Sequence, residues 1–450
     1  MRGLRKVLAS QIIFIIFILC FAALSSAGQA KNIILMIGDG MGPAHLHIAW
    51  LYATRQLGKN LVMTEVMNKG QTAYMINDTA DSTVTESAAA AVQMATGVKV
   101  LARSVGIGPD GKVLKTILEM AKEKGKATGL VTTSGITDAT PAGFIAHVAH
   151  RSEEDKIGEQ LVKSGVYILF GGRKAFFLPE AEKGKRKDGR NLLDEARRNG
   201  YAVVETTEAM KAEQGEKILG LFNSGNLLFE IDRKGSTEPS LKEMTVKALE
   251  VLDRNKEGFF LMVEAGRIDH AAHANDIAAV ISDTLAFDEA IQAAYEYQKG
   301  HPDTLLIVTA DHETGGLAVL PYSHTSKEYE GINLEAISKI KGSHEKWGKE
   351  LGKDPTPEKI KTVIKENFDI DLKDDEVKVI KEHTLKKLDP RHFRSSIGFV
   401  LRLYHRIGWV SDSHSASPLL LFGIGPGSEK IKGWRHNTEL FTAMKEAYGF

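Results

Sequence analysis

The sequence predicts a doubly wound, mostly parallel α/β sheet flanked by helices and carrying an inserted helical cap. Three observations predict it. The 450 residues with 43% hydrophobic content can bury a large core. Five short apolar runs of strand length alternate with amphipathic helical patterns. A polar or glycine-containing segment, each with a chemically able side chain, follows every run.

At the start of the chain, Arg2, Arg5 and Lys6 precede an apolar run from Ile12 to Leu24 and the small residues Ser25-Ser26-Ala27. This is a secretory signal pattern over residues 1–27, too short for a comfortable transmembrane helix. It predicts export to the periplasm or the extracellular space, with an uncleaved anchor as the alternative. The one cysteine, Cys20, lies inside this leader. The mature chain therefore has no disulfide, and packing and bound metal are expected to stabilise it. Lysine plus arginine balances aspartate plus glutamate at 58 each. No net field gathers nucleic acid, so the attraction for an anionic partner must be local.

The runs Ile33–Ile37, Thr128–Thr132, Phe259–Val263, Thr304–Val308 and Pro418–Phe422 read as buried parallel strands. Helical patterns cover Val113–Lys124, Leu241–Asn255 and Ile277–Gln298, with Asp276 and Ser282 near helix starts. In such a sheet the ligand sits beyond the carboxyl ends of the strands, where Asp39, Ser134 to Thr140, Glu264 to His273, Asp311 and His414 collect. From about 322 to 407 the chain is rich in lysine and glutamate, with amphipathic segments at Leu334–Ile340, Glu358–Asn367 and Glu376–Lys386. This reads as a solvated helical cap inserted into a single catalytic domain spanning 28–450.

Gly38-Asp39-Gly40-Met41-Gly42 follows the first run, and its glycines permit a tight turn exposing one carboxylate. His45 stands where a dinucleotide fingerprint needs glycine, and no Gly-Lys-Ser/Thr ending makes a P-loop. Asp39 is either a turn-capping residue or a metal ligand. Asp269 and His273 are four apart after the third run, so a helix would place both on one face, as zinc ligation requires. Asp311-His312 ends the fourth run, and His414 follows Asp412. Three carboxylates and three imidazoles at strand ends make two nearly complete sites for first-row divalent metals, best suited to zinc. Two such ions about 4 Å apart clamp an in-line displacement at phosphorus. Ser87 opens an alanine-rich helix whose N-terminus favours an anion. It is either the nucleophile or an N-cap, and Ser82 competes with it.

With these clusters in place, the sequence resembles the alkaline phosphatase family. The matching landmarks are Ile37 to Gly42, Glu86-Ser87-Ala88 through Ala95 to Lys99, Thr137-Asp138 through Thr140-Pro141, His147 with Arg151, Gly171-Gly172-Arg173, Glu264 to His273, Thr309 to His312, and His414 ahead of the last strand. The resemblance implies that Ser87, rather than Ser82, is the phosphorylated serine and that Arg151 grips two phosphate oxygens. It implies one zinc on Asp269, His273 and His414, a second on Asp39, Asp311 and His312, and a magnesium on Thr140, Glu264 and the bridging Asp39. The hard-oxygen donors of that third site agree with magnesium on their own. The implied activity is hydrolysis of phosphate monoesters of broad structure, by a homodimer. Three departures stand out. Glu86 replaces the usual aspartate before the serine, so its contact to Arg151 is expected to lengthen or vanish. Asp138 is combined with His270, bearing on the third metal and on product release. The mature chain also lacks the cysteines that some bacterial members pair.

Two other readings remain open at this point. A phosphodiesterase or sulfatase of the same superfamily shares the bimetal core. However, no Cys/Ser-x-Pro-x-Arg motif surrounds Ser87, and a diesterase commonly uses threonine as nucleophile and lacks the magnesium ligands. A non-catalytic phosphate- or metal-binding exported protein would keep the ligands without turnover.

Overall fold

The computed structural model describes residues 29–320, 331–385 and 390–450. The leader expected at 1–27 lies outside the described residues, as do 322–330 and 386–389 of the expected cap. Among the described residues, no helix is long and apolar enough to cross a membrane.

In chain order the strands are β1 (Asn32–Ile37), β2 (Gln71–Ile76), β3 (Ala127–Gly135), β4 (Ile168–Gly172), β5 (Ala202–Val204), β6 (Ile218–Leu221), β7 (Phe259–Glu264) and β8 (Thr304–Thr309). Then follow β9 (Glu313–Thr314), β10 (Ala318–Val319), β11 (Ile407–Gly408), β12 (His414–Ser415), β13 (Leu419–Ile424) and β14 (Gly433–His436). Ten of them form one sheet in the order β14-β2-β13-β8-β1-β7-β3-β4-β6-β5. β1 lies between β7 and β8, parallel to both, and every residue of these three strands is buried. Helices cover both faces of such strands, which is why their sequences are continuous apolar runs without alternation.

One of the five expected parallel strands runs the other way. β13 pairs antiparallel with both β8 and β2. Its apolar run carries no directional signal; the connection sets the direction. The chain reaches Leu419 from β12, which pairs with β9 just beyond the carboxyl end of β8, so it can only run back. The short strands β2, β4, β5, β6 and β14 were not among the expected elements. β5 has three residues and β14 four, too few to show a period.

The helices follow their caps more closely than their apolar periods. The pattern over 113–124 becomes a helix at Ile117–Glu123, begun by a Thr116/Glu119 capping box. Ser240 and Glu243 form another box at the start of Leu241–Leu252. Asp276 caps the 24-residue helix Ile277–Gly300 by accepting from the Ala279 amide at 3.1 Å. Ser282 lies inside that helix and donates back to the Ala279 carbonyl.

Between β10 and β11, which pair with each other, the described residues form helices Leu334–Ser338, His344–Leu351, Pro357–Phe368, Asp374–Leu385 and Pro390–His405. Trp347, Ile360, Ile364, Phe368 and Leu401 pack with Ile277, Val280 and Ile281 of the long helix. Each such side chain, fully buried, contributes about 1.5–3 kcal/mol relative to exposure. The charged sequence thus hides a packed apolar layer and is more than a solvated surface.

The helix Val62–Lys69 has no cap of its own. Both carboxylate oxygens of Asp288, on the long helix, accept from its first amides, Val62 at 3.0 Å and Met63 at 2.8 Å. Asp288→Ala is expected to lower the unfolding free energy by about 1–3 kcal/mol, with Asp288→Asn losing less, as read from denaturant midpoints at constant slope.

Candidate active site

The chemically able residues gather at the carboxyl ends of β1, β3, β7 and β8. Asp39 follows β1 in a turn whose next residue, Gly40, has φ +72°. A Cβ on Gly40 would stand 2.8 Å from the Asp269 Cα and 2.9 Å from the Thr314 Oγ1. Only glycine allows the turn to press this closely on the helix Arg267–His273, which carries Asp269 and His273 one turn apart. The Gly40 amide donates to Asp311 Oδ1 at 3.1 Å, and the buried Asn77 side chain donates to the Asp311 carbonyl. Asn77 is thereby an internal support for the site.

Three histidines meet these acids, and their hydrogen bonds fix their tautomers. His273 Nδ1 faces the Asp412 carbonyl at 2.5 Å and His414 Nδ1 faces the Thr85 carbonyl at 3.0 Å. A carbonyl only accepts, so in both rings Nδ1 carries the proton and Nε2 presents a lone pair. Thr314 Oγ1 donates to Asp269 Oδ1 at 2.6 Å and accepts from His312 Nδ1 at 3.2 Å, which sets the third ring in the same way. The Nε2 lone pairs nevertheless point at one another and at carboxylate oxygens. His273 and His414 Nε2 are 3.1 Å apart, and Asp269 oxygens lie 3.3 and 3.6 Å from them. His312 Nε2 is 3.5 Å from Asp39 Oδ1 and 3.3 Å from Asp311 Oδ2, and neither oxygen has a hydrogen-bond partner. Such a set of acceptors is satisfied by cations, and this donor chemistry fits divalent metal ions.

Donor atoms of Asp39, Asp311 and His312 lie within 4.8 Å of one another, as do those of Asp269, His312 and His414. His273 joins the second group through its contacts to Asp269 and His414. His312 stacks on His414 with ring centres 3.7 Å apart and so stands between the two groups. Burial pushes the Asp39 carboxyl well above its usual range, and Asp311, Asp269 and Glu264 add to the shift. Burial and Asp269 push Asp311 up to about 7. Burial acts to raise Asp269 as well, and His273, His414 and His312 pull it far below the carboxylate range only when their rings carry a proton on both nitrogens. Four buried acids in one place are costly unless positive charge is shared among them.

A third group lies on the other side of Asp39. Glu264, at the end of β7, is pushed up to about 8 by burial and by the nearby acids, and Thr132 hydrogen-bonds it. The buried Thr140 hydroxyl faces Glu264 and acts to lower its carboxyl, without meeting it at full hydrogen-bond geometry. His270 is held at about 3 by burial and by Arg267, whose guanidinium is 3.2 Å from the His270 Nδ1.

Ser87 is the first residue of the helix Ser87–Thr96, and the N-cap is Glu86, not Ser87. Glu86 accepts from the Ala88 and Ala89 amides, leaving the serine hydroxyl free to sit 3.2 Å from His312 Nε2. Ser82 is exposed and donates to the Val84 carbonyl, away from the cluster. The expected loss of contact between Glu86 and Arg151 does not occur, because they meet at 2.6 Å. The extra methylene of glutamate is absorbed by tying the same carboxylate to the helix N-terminus. Arg151 also bonds Asp138 at 3.0 Å, and Arg173 takes the other Asp138 oxygen at 2.8 Å. Burial opposes ionisation of Asp138, but Arg173 and Arg151 hold its carboxyl far below the ordinary range.

Sequence reasoning missed Thr314, which sets both Asp269 and His312, and the role of Arg173. Thr314 lies two residues after His312 on β9, too short a strand to signal itself.

An α/β sheet that converges acids, imidazoles and a helix-borne serine on an arginine fork defines a metal-using hydrolase of phosphate esters. The chain belongs to the alkaline phosphatase family, whose model matches residues 30–450, and it is a phosphatase. It is 35% identical over 420 residues to alkaline phosphatase 4 of Bacillus subtilis, covering 91% of this chain and 87% of that protein. It is 40% identical over 325 residues to the repressible alkaline phosphatase of Saccharomyces cerevisiae, covering 66% of this chain and 57% of that protein. The crystal structure of Thermus thermophilus alkaline phosphatase superposes with a TM-score of 0.85 at 33% identity, covering 94% of this chain and 92% of that one.

Gly40→Ala is expected to weaken divalent-cation binding by about tenfold or more by pushing the turn off Asp269, as in other losses of ligand support. Calorimetric titration of the chelated variant with zinc measures this.

Proposed function

We propose that the protein hydrolyses phosphate monoesters to an alcohol and inorganic phosphate in two displacements at Ser87. The observation that carries this reading is the set of Nε2 lone pairs and unpaired carboxylate oxygens facing one another beside the serine hydroxyl. Asp269, His273 and His414 would hold one zinc, Asp39, Asp311 and His312 the other, and Asp39, Thr140 and Glu264 a magnesium. Bound there, the cations supply Lewis-acid polarisation of the phosphoryl group and lower the pKa of the serine hydroxyl and of water.

Ser87 needs no histidine base, since the nearest imidazole nitrogen, on His312, belongs to the ligand set. Its oxygen attacks phosphorus from the first residue of its helix, whose next two amides are capped by Glu86, so that the anion is held by Arg151 rather than by the helix start. The Ser87 O–P bond forms as the bond to the alcohol breaks, and the alcohol leaves with a proton. Water then breaks the phosphoserine, releasing phosphate and restoring the hydroxyl. Arg151 holds two phosphoryl oxygens with the N–H groups that Glu86 and Asp138 leave free, and those two acids fix its plane. The groups named above all act on the phosphoryl group and none on the alcohol, which supports a broad substrate range. His270, beside Asp138, bears on release of phosphate.

We further propose that the protein is exported to the periplasm or the cell exterior, on the strength of Arg2, Arg5, Lys6 and the apolar run to Leu24. We propose that it works as a homodimer, as an analogy with its family.

With zinc and magnesium supplied, the protein should release p-nitrophenol in a burst from p-nitrophenyl phosphate, far faster than from the bis ester. Ser87→Ala should lose turnover by about a thousandfold or more, and acid-quenched wild type should carry phosphate on the Ser87 peptide by mass spectrometry. Undiminished activity in Ser87→Ala would refute the nucleophile. Chelation should abolish turnover and lower the melting temperature, with both restored by the cations.

A further inference from the structure

Arg103 occupies a conformation that its side chain does not favour. Its φ is +68°, in a turn closed by the Ser104 amide donating to the Leu101 carbonyl at 3.3 Å. Glycine or asparagine is the usual occupant of such a position, and another L-residue there costs about 1–2 kcal/mol. The backbone explains why the turn is held. The Arg103 amide donates to Glu86 Oε1 at 2.7 Å, and the Arg103 carbonyl accepts from the Arg151 amide at 2.9 Å. One residue thus ties the N-cap of the serine helix to the phosphate-gripping arginine.

Glycine would make both of those bonds without strain, so the main chain does not account for arginine. The side chain is exposed, and its guanidinium has no hydrogen bond or ion pair to any described residue. Glu86 and Asp138 are already taken by Arg151. A long cation, unpaired among the described residues, is therefore rooted one main-chain hydrogen bond from Arg151 and one from the carboxylate of Glu86, which orients Arg151. Strain kept at such a place points to function.

We propose that Arg103 is a specificity-determining residue that binds a second anionic group, a carboxylate or distal phosphate, on the alcohol part of the substrate. The preferred substrates are then phosphate monoesters bearing another negative charge, and the proposal rests on the monoesterase reading above. Exposure and screening limit the effect to a few-fold, and salt reduces it.

The test compares 2-phosphoglycerate with glycerol 2-phosphate, which differ by a carboxylate in place of a hydroxymethyl group. Arg103→Gly suits the positive φ and keeps both main-chain bonds, and Arg103→Lys keeps the charge. The wild-type ratio of kcat/KM for the two esters should fall about fivefold in Arg103→Gly and only partly in Arg103→Lys. Added salt should shrink the wild-type ratio and leave that of Arg103→Gly flat. An unchanged ratio in Arg103→Gly overturns the proposal, as does an equal loss on both esters, which would leave Arg103 a main-chain role alone. A wild type that turns over neither ester nor p-nitrophenyl phosphate, with cations supplied, overturns the monoesterase reading itself.

Discussion

The rest of the site depends on one constraint: three imidazole Nε2 lone pairs and the oxygens of three buried aspartates must be held face to face. Imidazole lone pairs facing one another and carboxylate oxygens at 3.1–3.6 Å repel in a buried place. The surrounding structure therefore has to impose the arrangement. It does so through backbone carbonyls that seize Nδ1 of His273 and His414, and through Thr314, which bonds Asp269 and His312 together. The parallel core β7-β1-β8 supplies the rigidity, since its strands end side by side and deliver Glu264, Asp39 and Asp311 from fixed, wholly buried positions.

Around this cation-seeking centre runs a second, oppositely built network. Glu86, Arg151, Asp138 and Arg173 alternate in charge, with Glu154 closing on Arg173 at 2.9 Å. Each ion there already has its counter-ion, so the network is satisfied without any ligand. The contrast assigns the labour: paired charges hold the arginine fork steady, and the facing lone pairs and carboxylate oxygens have the donor chemistry of a divalent-cation site. Glu86 serves both sides, because one carboxylate caps the serine helix and orients Arg151. Moving the serine would move the fork with it.

Much of this was legible in the sequence, for definable reasons. The strands of the sheet centre are continuous apolar runs because both faces are covered, and Asp39, Glu264 and Asp311 were readable as residues at their ends. Asp269 and His273 announced themselves by their spacing of four. What stayed hidden depended on long-range geometry. The direction of β13 came from where β12 left the chain, not from its own residues. The identity of the N-cap, Glu86 rather than Ser87, needed the helix start to one residue. The contact of Glu86 with Arg151 was misjudged because chain length was weighed without the amides of Ala88 and Ala89, which draw the carboxylate back.

The helical segment between β10 and β11 is joined to the ligand-bearing stretch at two points, and this limits how freely it can move. Arg267, two residues before Asp269, bonds Glu345 of that segment at 2.7 Å and stands over the Phe229 ring, 3.6 Å from its centre. Asp276, three residues after His273, caps the long helix with one oxygen and accepts the His344 amide at 2.5 Å with the other. The short helix holding Asp269 and His273 is thus bracketed by contacts to the segment, with Ile277, Val280 and Ile281 packed into its apolar layer. A rigid-body shift of the segment cannot occur without pulling on both ends of the ligand helix. Its packed interior therefore helps to hold the metal-seeking histidine and aspartate where the sheet alone does not reach them.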